Sequence, residues 1–344
     1  MQALVRRSHT PGDAHVQGVE EPRPGPGEVL VRIAACGLCG SDIHAVRADP
    51  GFDFVKVPVI LGHEWSAVVQ ETGAGVNALV PGDPVVAISI QGCGRCPTCI
   101  AGDTHLCPDR DILGLHVDGG LAERAVISER HLVTVPAGLS LTTAALAEPL
   151  AVAVHAVLER SSISPGDRVV VSGPGPIGLF SGRLAALSGA DVLVLGTPAD
   201  SAQRLPLAER FSLRTAVLGA GASAADAIRA QWGGRAPDTW IEASGAVPAL
   251  AAAVGEVRAG GHITEVALFA RPYDLVVTDA VRRELSINFS YAARRQEYVV
   301  ALDLLASGAV DGAALASHFP LAEAREALAA GEEQRVVKPL VVMG

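Results

Sequence analysis

Residues 168–189 read RVVVSGPGPIGLFSGRLAALSG, and this stretch decides the fold. The opening run of valines is a short, continuously apolar strand, the pattern of a strand buried on both faces of a parallel sheet. GPGPIG follows it directly, and a helix-forming segment runs on to Gly189. A glycine pattern of this kind says little by itself. Between a strand and a helix it has the context that dinucleotide binding requires. Gly173 permits the tight turn, Gly175 lets the backbone approach a pyrophosphate, and Gly178 allows close helix–strand packing. The pyrophosphate would lie on the helix N-terminus, where free N–H groups and the helix dipole favour an anion. With Pro176 and Ile177 these glycines are the candidate cofactor-binding residues. The alternative is a plain Gly/Pro turn between two elements.

Outward from this unit the same alternation continues. DVLVLG (191–196), TAVLGAG (215–221), TWIEASG (239–245) and GGHITEVAL (260–268) read as further strands separated by Ala-rich helical stretches. Strands alternating with helices imply a doubly wound parallel sheet, here over residues 151–291. Residues 1–135 have a different texture: GEVLVRIAACG, HEWSAVVQETG and DPVVAISI are Val/Ile-rich strands between Gly and Pro turns. LTTAALAEPLAVAVHAVLER (141–160) has helical spacing, with Thr142 or Thr143 as its expected N-cap. The tail from 292 holds a helix, EYVVALDLLASG, and an extended end, RVVKPLVVMG. The expected division is 1–150, 151–291 and 292–344.

A length of 344 residues suggests two domains, and 49% apolar with 19% charged residues excludes a disordered or fibrous chain. Aromatics are 4%, so the cores must be aliphatic. The net charge of −10 and the lack of any Lys/Arg run argue against nucleic acid as a partner. No uninterrupted apolar run reaches the roughly 18–20 residues of a membrane span, and the first residues lack an apolar signal core. The expectation is a cytoplasmic protein with no membrane partner.

All six cysteines fall in the first third of the chain. Cys93, Cys96, Cys99 and Cys107 follow a C-x2-C-x2-C-x7-C pattern in a stretch punctuated by Gly94, Pro97, Gly102 and Pro108. Four thiolates at this spacing can wrap one tetrahedral zinc ion with no open position, so that metal would brace the loop. An iron–sulfur cluster is the alternative use of four cysteines. A second, dispersed set comprises GLCGSDIH (37–44), GHEW (62–65) and AEPL (147–150). Cys39, His63, Glu64 and Glu148 are all zinc-ligand types, although a lone His is usually scaffold and a lone Glu usually solvated surface.

With CGSDIH, GHE, the four-Cys loop, DGGLAE, AEPLAVAVHA, GPGPIG and EASG in this order, the chain resembles the zinc-dependent medium-chain alcohol and polyol dehydrogenases, the sorbitol and threonine dehydrogenase group in particular. The resemblance implies an α/β protein with a GroES-like β-rich catalytic domain, completed by the C-terminal tail, and an inserted Rossmann domain, with the active site in the cleft. It implies two zinc ions per chain and NAD or NADP. It places Cys39, His63, Glu64 and Glu148 as catalytic zinc ligands, the two carboxylates exchanging with water, and Glu148 also among the catalytic residues. Ser41 and His44 would relay the proton, and Cys36 would serve packing. It further implies a small-molecule alcohol or ketone substrate and a homo-oligomer, a tetramer in preference to a dimer. Trp65, Phe52, Phe269, Tyr291 and Arg271 fall near the cleft by the same comparison.

Two departures stand out. Ala67 replaces a glycine that often follows GHE. The position expected to hold the acidic ribose ligand is Thr197, nineteen residues past Gly178. Asp200 would supply the carboxylate if the loop bends back, and Arg204, seven residues on, would meet a 2′-phosphate. NAD and NADP both stay open. The competing functions are a zinc-free quinone or enoyl reductase on the same scaffold, and a non-catalytic nicotinamide-binding protein.

Overall fold

The computed structural model describes residues 1–344 except 220, 270–273 and 276, so Arg271 lies outside the described residues. The chain divides into two compact units, Met1–Ala151 with Ala292–Gly344, and Val152–Tyr291.

In the first unit β1 (Gln2–Arg6) pairs antiparallel with β2 (Ala14–Gly18). β3 (Glu28–Gly37) leads into α1 (Gly40–Arg47), and β4 (Val59–Ile60) returns to β1. β5 (Glu64–Thr72) runs antiparallel to β3 and pairs in turn with β6 (Pro84–Ala87). The short strands β7 (Ile90–Gln91) and β8 (Asp111–Ile112) form a ribbon flanking the four-Cys loop, which carries α2 (Pro97–Ile100). β9 (Arg124–Ser128) joins the first half of β3, and β10 (Leu132–Thr134) joins β6. Side chains along the first half of β3 alternate between more and less buried, the two-residue period of a strand with one face on a core.

A helical run then begins with α3 (Leu141–Ala144) and α4 (Ala147–Val154) and widens into a π-type turn at His155–Glu159. Its cap is Ser140, whose hydroxyl accepts the Thr143 amide at 3.1 Å. The expected caps, Thr142 and Thr143, sit inside the first turn. Two candidate hydroxyls in a row concealed a third one residue earlier. The whole run, Leu141–Glu159, is 19 residues long and apolar enough to cross a membrane by length and composition, longer than the sequence reading allowed. Its most apolar window is 72% buried inside the fold, as a core helix is.

The second unit is a six-stranded parallel sheet built from β11 (Arg168–Ser172), β12 (Asp191–Gly196), β13 (Arg214–Val217), β14 (Thr239–Glu242), β15 (His262–Glu265) and β16 (Ser286–Phe289). Their spatial order is β13-β12-β11-β14-β15-β16, the 3-2-1-4-5-6 arrangement of a doubly wound dinucleotide-binding sheet. The order reverses between β11 and β14. The connecting helices are α5 (Pro176–Leu187), α6 (Arg204–Arg210), α7 (Ala224–Trp232), α8 (Val247–Glu256) and α9 (Val277–Arg282). Val169–Val171 are wholly buried, as their unbroken apolar run requires.

The chain then returns to the first unit through α10 (Arg295–Ala306), β17 (Ala316–Pro320), α11 (Ala324–Glu332) and β18 (Lys338–Val342). β18 lies antiparallel to the second half of β3, opposite Ala35–Gly37.

Candidate active site and metal centres

The end of β3, the start of β5 and the start of β18 meet at one end of the central strands of the first unit's sheet. Gly37 is opposite Glu64 on one side and Leu340 on the other. Cys39, which caps α1, therefore lies beside His63, and Lys338 arrives next to Glu64 and near Cys39. The ligand atoms of Cys39, His63 and Glu64 lie within 4.8 Å of one another, with His63 and Glu64 buried. Ser41, in the first turn of α1, places its hydroxyl 3.5 Å from His63 Nε2. Glu148, in the first turn of α4, is buried beside this cluster; its charge acts on His63.

Several residues that sequence reasoning did not single out complete the site. Lys338, only 4% exposed, donates from Nζ to Glu64 Oε1 at 2.6 Å and to the Leu38 carbonyl at 3.0 Å. Asp42 is fully buried and accepts from the Cys39 amide at 2.9 Å and the Gly62 amide at 3.2 Å, tying the two ligand-bearing segments together. Tyr298, also fully buried, donates to Ser89 Oγ at 3.1 Å, and Ser89 is a hydrogen-bond partner of Glu148. One signal for Lys338 was available: the chain has 25 Arg but only two Lys, and one of them stands within RVVKPLVV.

Burial works against a charge on His63, but the neighbouring Asp42, Cys39 and Glu148 outweigh it and hold His63 well above its ordinary range. Burial pushes Glu148 up, with His63 pulling the other way and Glu64 adding to the rise. Burial would lower Lys338, yet Glu64 and Cys39 raise it overall. A dense group of anionic ligand types around a single lysine suits a divalent cation.

His44, three residues after Ser41 and on the same helical face, has turned to Asp49. Its Nδ1 is 2.7 Å from Asp49 Oδ2, and its ring stacks on Phe52 at 5.2 Å. The His44 side chain is 45% exposed. Cys36 is wholly buried opposite Trp65, in line with packing. Trp65 itself is 1% exposed and part of the core, which removes it from any substrate-facing set.

In the four-Cys loop all thiols are free of disulfides, and their sulfurs lie within 4.8 Å of one another. Cys96 and Cys107 are 3.8 Å apart, the edge that a tetrahedron with Zn–S bonds of about 2.3 Å produces. Amides of Arg95 and Cys96 lower Cys93 to about 6, whereas burial and the neighbouring thiols raise Cys99 to about 12. Four thiolates in this space need a bound cation, and the donor set fits zinc.

In the second unit Gly173 has φ +92°, and a Cβ there would meet Ser244 at 2.7 Å. Gly178 approaches so closely that a Cβ would lie 1.9 Å from the Gly173 carbonyl. Gly175 caps α5 and faces open space, with Pro176 and Ile177 opening the helix. At the end of β12 the loop does bend back. Asp200 Oδ2 accepts from the Thr197 amide and hydroxyl, both at 2.8 Å, and Oδ1 accepts from Arg204 Nη1 at 3.2 Å. Asp200 is buried, so both its carboxylate and the Arg204 guanidinium are engaged locally.

Comparison with known proteins agrees with this architecture. Residues 25–137 match the alcohol dehydrogenase GroES-like domain, and residues 176–307 match the zinc-binding dehydrogenase family. The chain is 34% identical to a sorbitol dehydrogenase of Halalkalibacterium halodurans over 98% of each chain. It is 33% identical to a D-arabitol-phosphate dehydrogenase of Enterococcus avium, over 91% of this chain and 89% of that one. A protein of Sinorhizobium meliloti 1021 described as a zinc-binding dehydrogenase, solved bound to NADP, superposes with a TM-score of 0.88 at 31% identity, covering 99% of this chain and 98% of the other. The chain belongs to the zinc-type medium-chain alcohol and polyol dehydrogenases.

Proposed function

We propose that the protein is a zinc-dependent, NAD- or NADP-linked dehydrogenase that interconverts a polyol or other secondary alcohol, amino alcohols and cyclitols included, with its ketone. The observation that carries this reading is the convergence of Cys39, His63 and Glu64 within 4.8 Å, with the Ser41 hydroxyl 3.5 Å from His63. A zinc-free quinone or enoyl reductase has no use for such a set, and a purely structural protein has no use for a hydroxyl held beside it.

Cys39, His63 and a carboxylate would hold the catalytic zinc. Glu64 is ion-paired to Lys338, whereas Glu148 is held by the neutral Ser89 hydroxyl, which favours Glu148 as the third ligand. When bound, zinc would supply Lewis acidity at the alcohol oxygen and a nicotinamide would supply the hydride acceptor. Ser41 takes the alcohol proton at Oγ and passes it along α1 toward His44. Asp49 fixes the His44 ring through Nδ1, leaving Nε2 to hand the proton to solvent. Cys93, Cys96, Cys99 and Cys107 would hold a second, structural zinc. Gly173, Gly175, Pro176, Ile177 and Gly178 would cradle the pyrophosphate, with Thr197 and Arg204 at the ribose end.

We further propose a homo-oligomer, a dimer through β16 that doubles to a tetramer. β16 is the outer strand of its sheet, Phe289 on it is 65% exposed, and the same unit exposes Leu268, Val277 and Val281. Free thiols throughout fit the reducing cytoplasm.

The test is turnover of the zinc-loaded enzyme with NAD⁺ and NADP⁺ across polyols, amino alcohols, cyclitols and simple secondary alcohols, together with metal analysis. Two zinc equivalents and turnover on at least one class are expected. Full loading with no turnover on any would overturn the catalytic reading in favour of a non-catalytic nicotinamide-binding protein.

A further inference from the structure

β14 and β15 end in a pair of glutamates that no part of the mechanism uses. Glu242 and Glu265 are register partners on these adjacent parallel strands, and both are buried. Glu242 faces donors on nearly every side. Its Oε1 accepts from the Ser244 amide at 2.9 Å, from the Ser244 hydroxyl, and from the Ser172 hydroxyl at 3.3 Å; its Oε2 accepts from the Gly245 amide at 3.1 Å. Glu265 is less well supplied. Its Oε1 accepts from the Ala267 amide at 3.2 Å, while Oε2 is buried without a donor among the described residues.

Two buried carboxylates side by side cannot both keep a charge cheaply. The two side chains are hydrogen-bond partners, which requires a proton on one of them, and the undersupplied Glu265 is the one that carries it. Burial first, and the hydrogen bond and charge of Glu242 next, push Glu265 up to about 9. Glu265 is thus a neutral acid at ordinary pH.

The position of the pair gives it a role. β11 and β14 flank the point where strand order reverses, the place where doubly wound sheets bind their ligands. The turn that Glu242 holds, Ser244–Gly245, lies directly against Gly173, the first glycine of the dinucleotide loop. We propose that Glu265 is a positioning residue for dinucleotide binding: as a neutral acid it donates to Glu242, and Glu242 holds the Ser244–Gly245 turn against Gly173. The proposal rests on the dinucleotide-binding reading above and adds to it a carboxyl pair outside the glycine motif.

Other charges around the pair are few among the described residues. Arg168 and His262 stand at the opposite ends of β11 and β15, and Glu256 at the far end of α8. Arg183 is about two turns into α5. Arg160 donates to the Phe289 carbonyl on β16, beside Glu265 in register. An anion created at Glu265 therefore meets Glu242 as its immediate neighbour.

The experiment is titration of the zinc-loaded enzyme with NADH and with NADPH, read by cofactor fluorescence, from neutral pH to beyond the Glu265 transition, with thermal melts at each pH. Wild type should bind one or both at neutral pH and weaken by about tenfold as pH passes about 9, when two like charges face each other. Glu265→Gln, whose amide donates at every pH, should match wild type at neutral pH and lose the alkaline step. Glu242→Gln also removes the like-charge pair, so it should bind more weakly throughout and show no step, which keeps the proposal testable if Glu265→Gln does not fold. Identical alkaline losses in wild type and either Gln variant would overturn the proposal alone. Failure of wild type to bind either cofactor at neutral pH would overturn the dinucleotide reading and the proposal with it.

Discussion

Lys338 shows how one buried charge constrains its neighbours. It neutralises Glu64 at the wall of the candidate zinc site, and neither group has water to fall back on. Breaking a buried pair from one side strands a charge, so Lys338→Met should destabilise the first unit by about 3–5 kcal/mol. Lys338→Met/Glu64→Leu should regain most of that loss; chemical denaturation of both variants and wild type checks the pair. At the other end of the chemistry, the proposed ribose site makes Thr197 and Asp200 the positions at which cofactor preference would be set. Thr197→Asp adds a carboxylate for the ribose hydroxyl and should favour NAD by about 1.5–3 kcal/mol, on the order of tenfold or more in relative kcat/KM. Asp200→Ala releases Arg204 from its local bond and should shift the ratio toward NADP, although the lost cap costs about 0.5–2 kcal/mol of stability. kcat/KM for both cofactors in wild type and the two variants decides; an unchanged ratio in both would show that cofactor choice is set elsewhere.

At the scale of elements, legibility followed sequence distance. The four-Cys loop was readable because all its donors lie within fifteen residues and no fold is needed to gather them. The β11–Gly173–α5 unit was readable for the same reason: strand, turn and helix are contiguous. The helix cap was misjudged because Ser140, Thr142 and Thr143 offer similar hydroxyls, and only backbone geometry selects one. Asp42 was hidden differently, since an acid in a first helical turn reads as an ordinary capping residue while here it also bonds Gly62 twenty residues away. The two cysteine sites should respond separately to mutation. Cys39→Ser should abolish turnover while sparing NADH binding, because the dinucleotide loop belongs to the other unit. Cys96→Ser should instead lower the thermal midpoint and release one zinc. A Cys96→Ser protein that keeps its midpoint but loses all activity would mean that the two roles are reversed.

For the whole molecule, the chain must close on itself before the site exists. Lys338 is 274 residues from Glu64 and reaches it only because β18 pairs with the end of β3; no local pattern reports that return. The exposed edge at β16 carries a matching expectation for assembly: Phe289→Arg should reduce the mass seen by light scattering without altering the fold of the protomer. The scarcity of lysine has a practical result as well. Of the two lysines only Lys56, with 65% of its side chain exposed, is open to acylating reagents, while Lys338 is sealed by its ion pair. Limited treatment with an amine-reactive ester, followed by peptide mass mapping, should mark Lys56 and leave Lys338 untouched until denaturant detaches β18. The chain thus contains its own reporter of C-terminal docking, a chemical clock that starts when the last strand lets go.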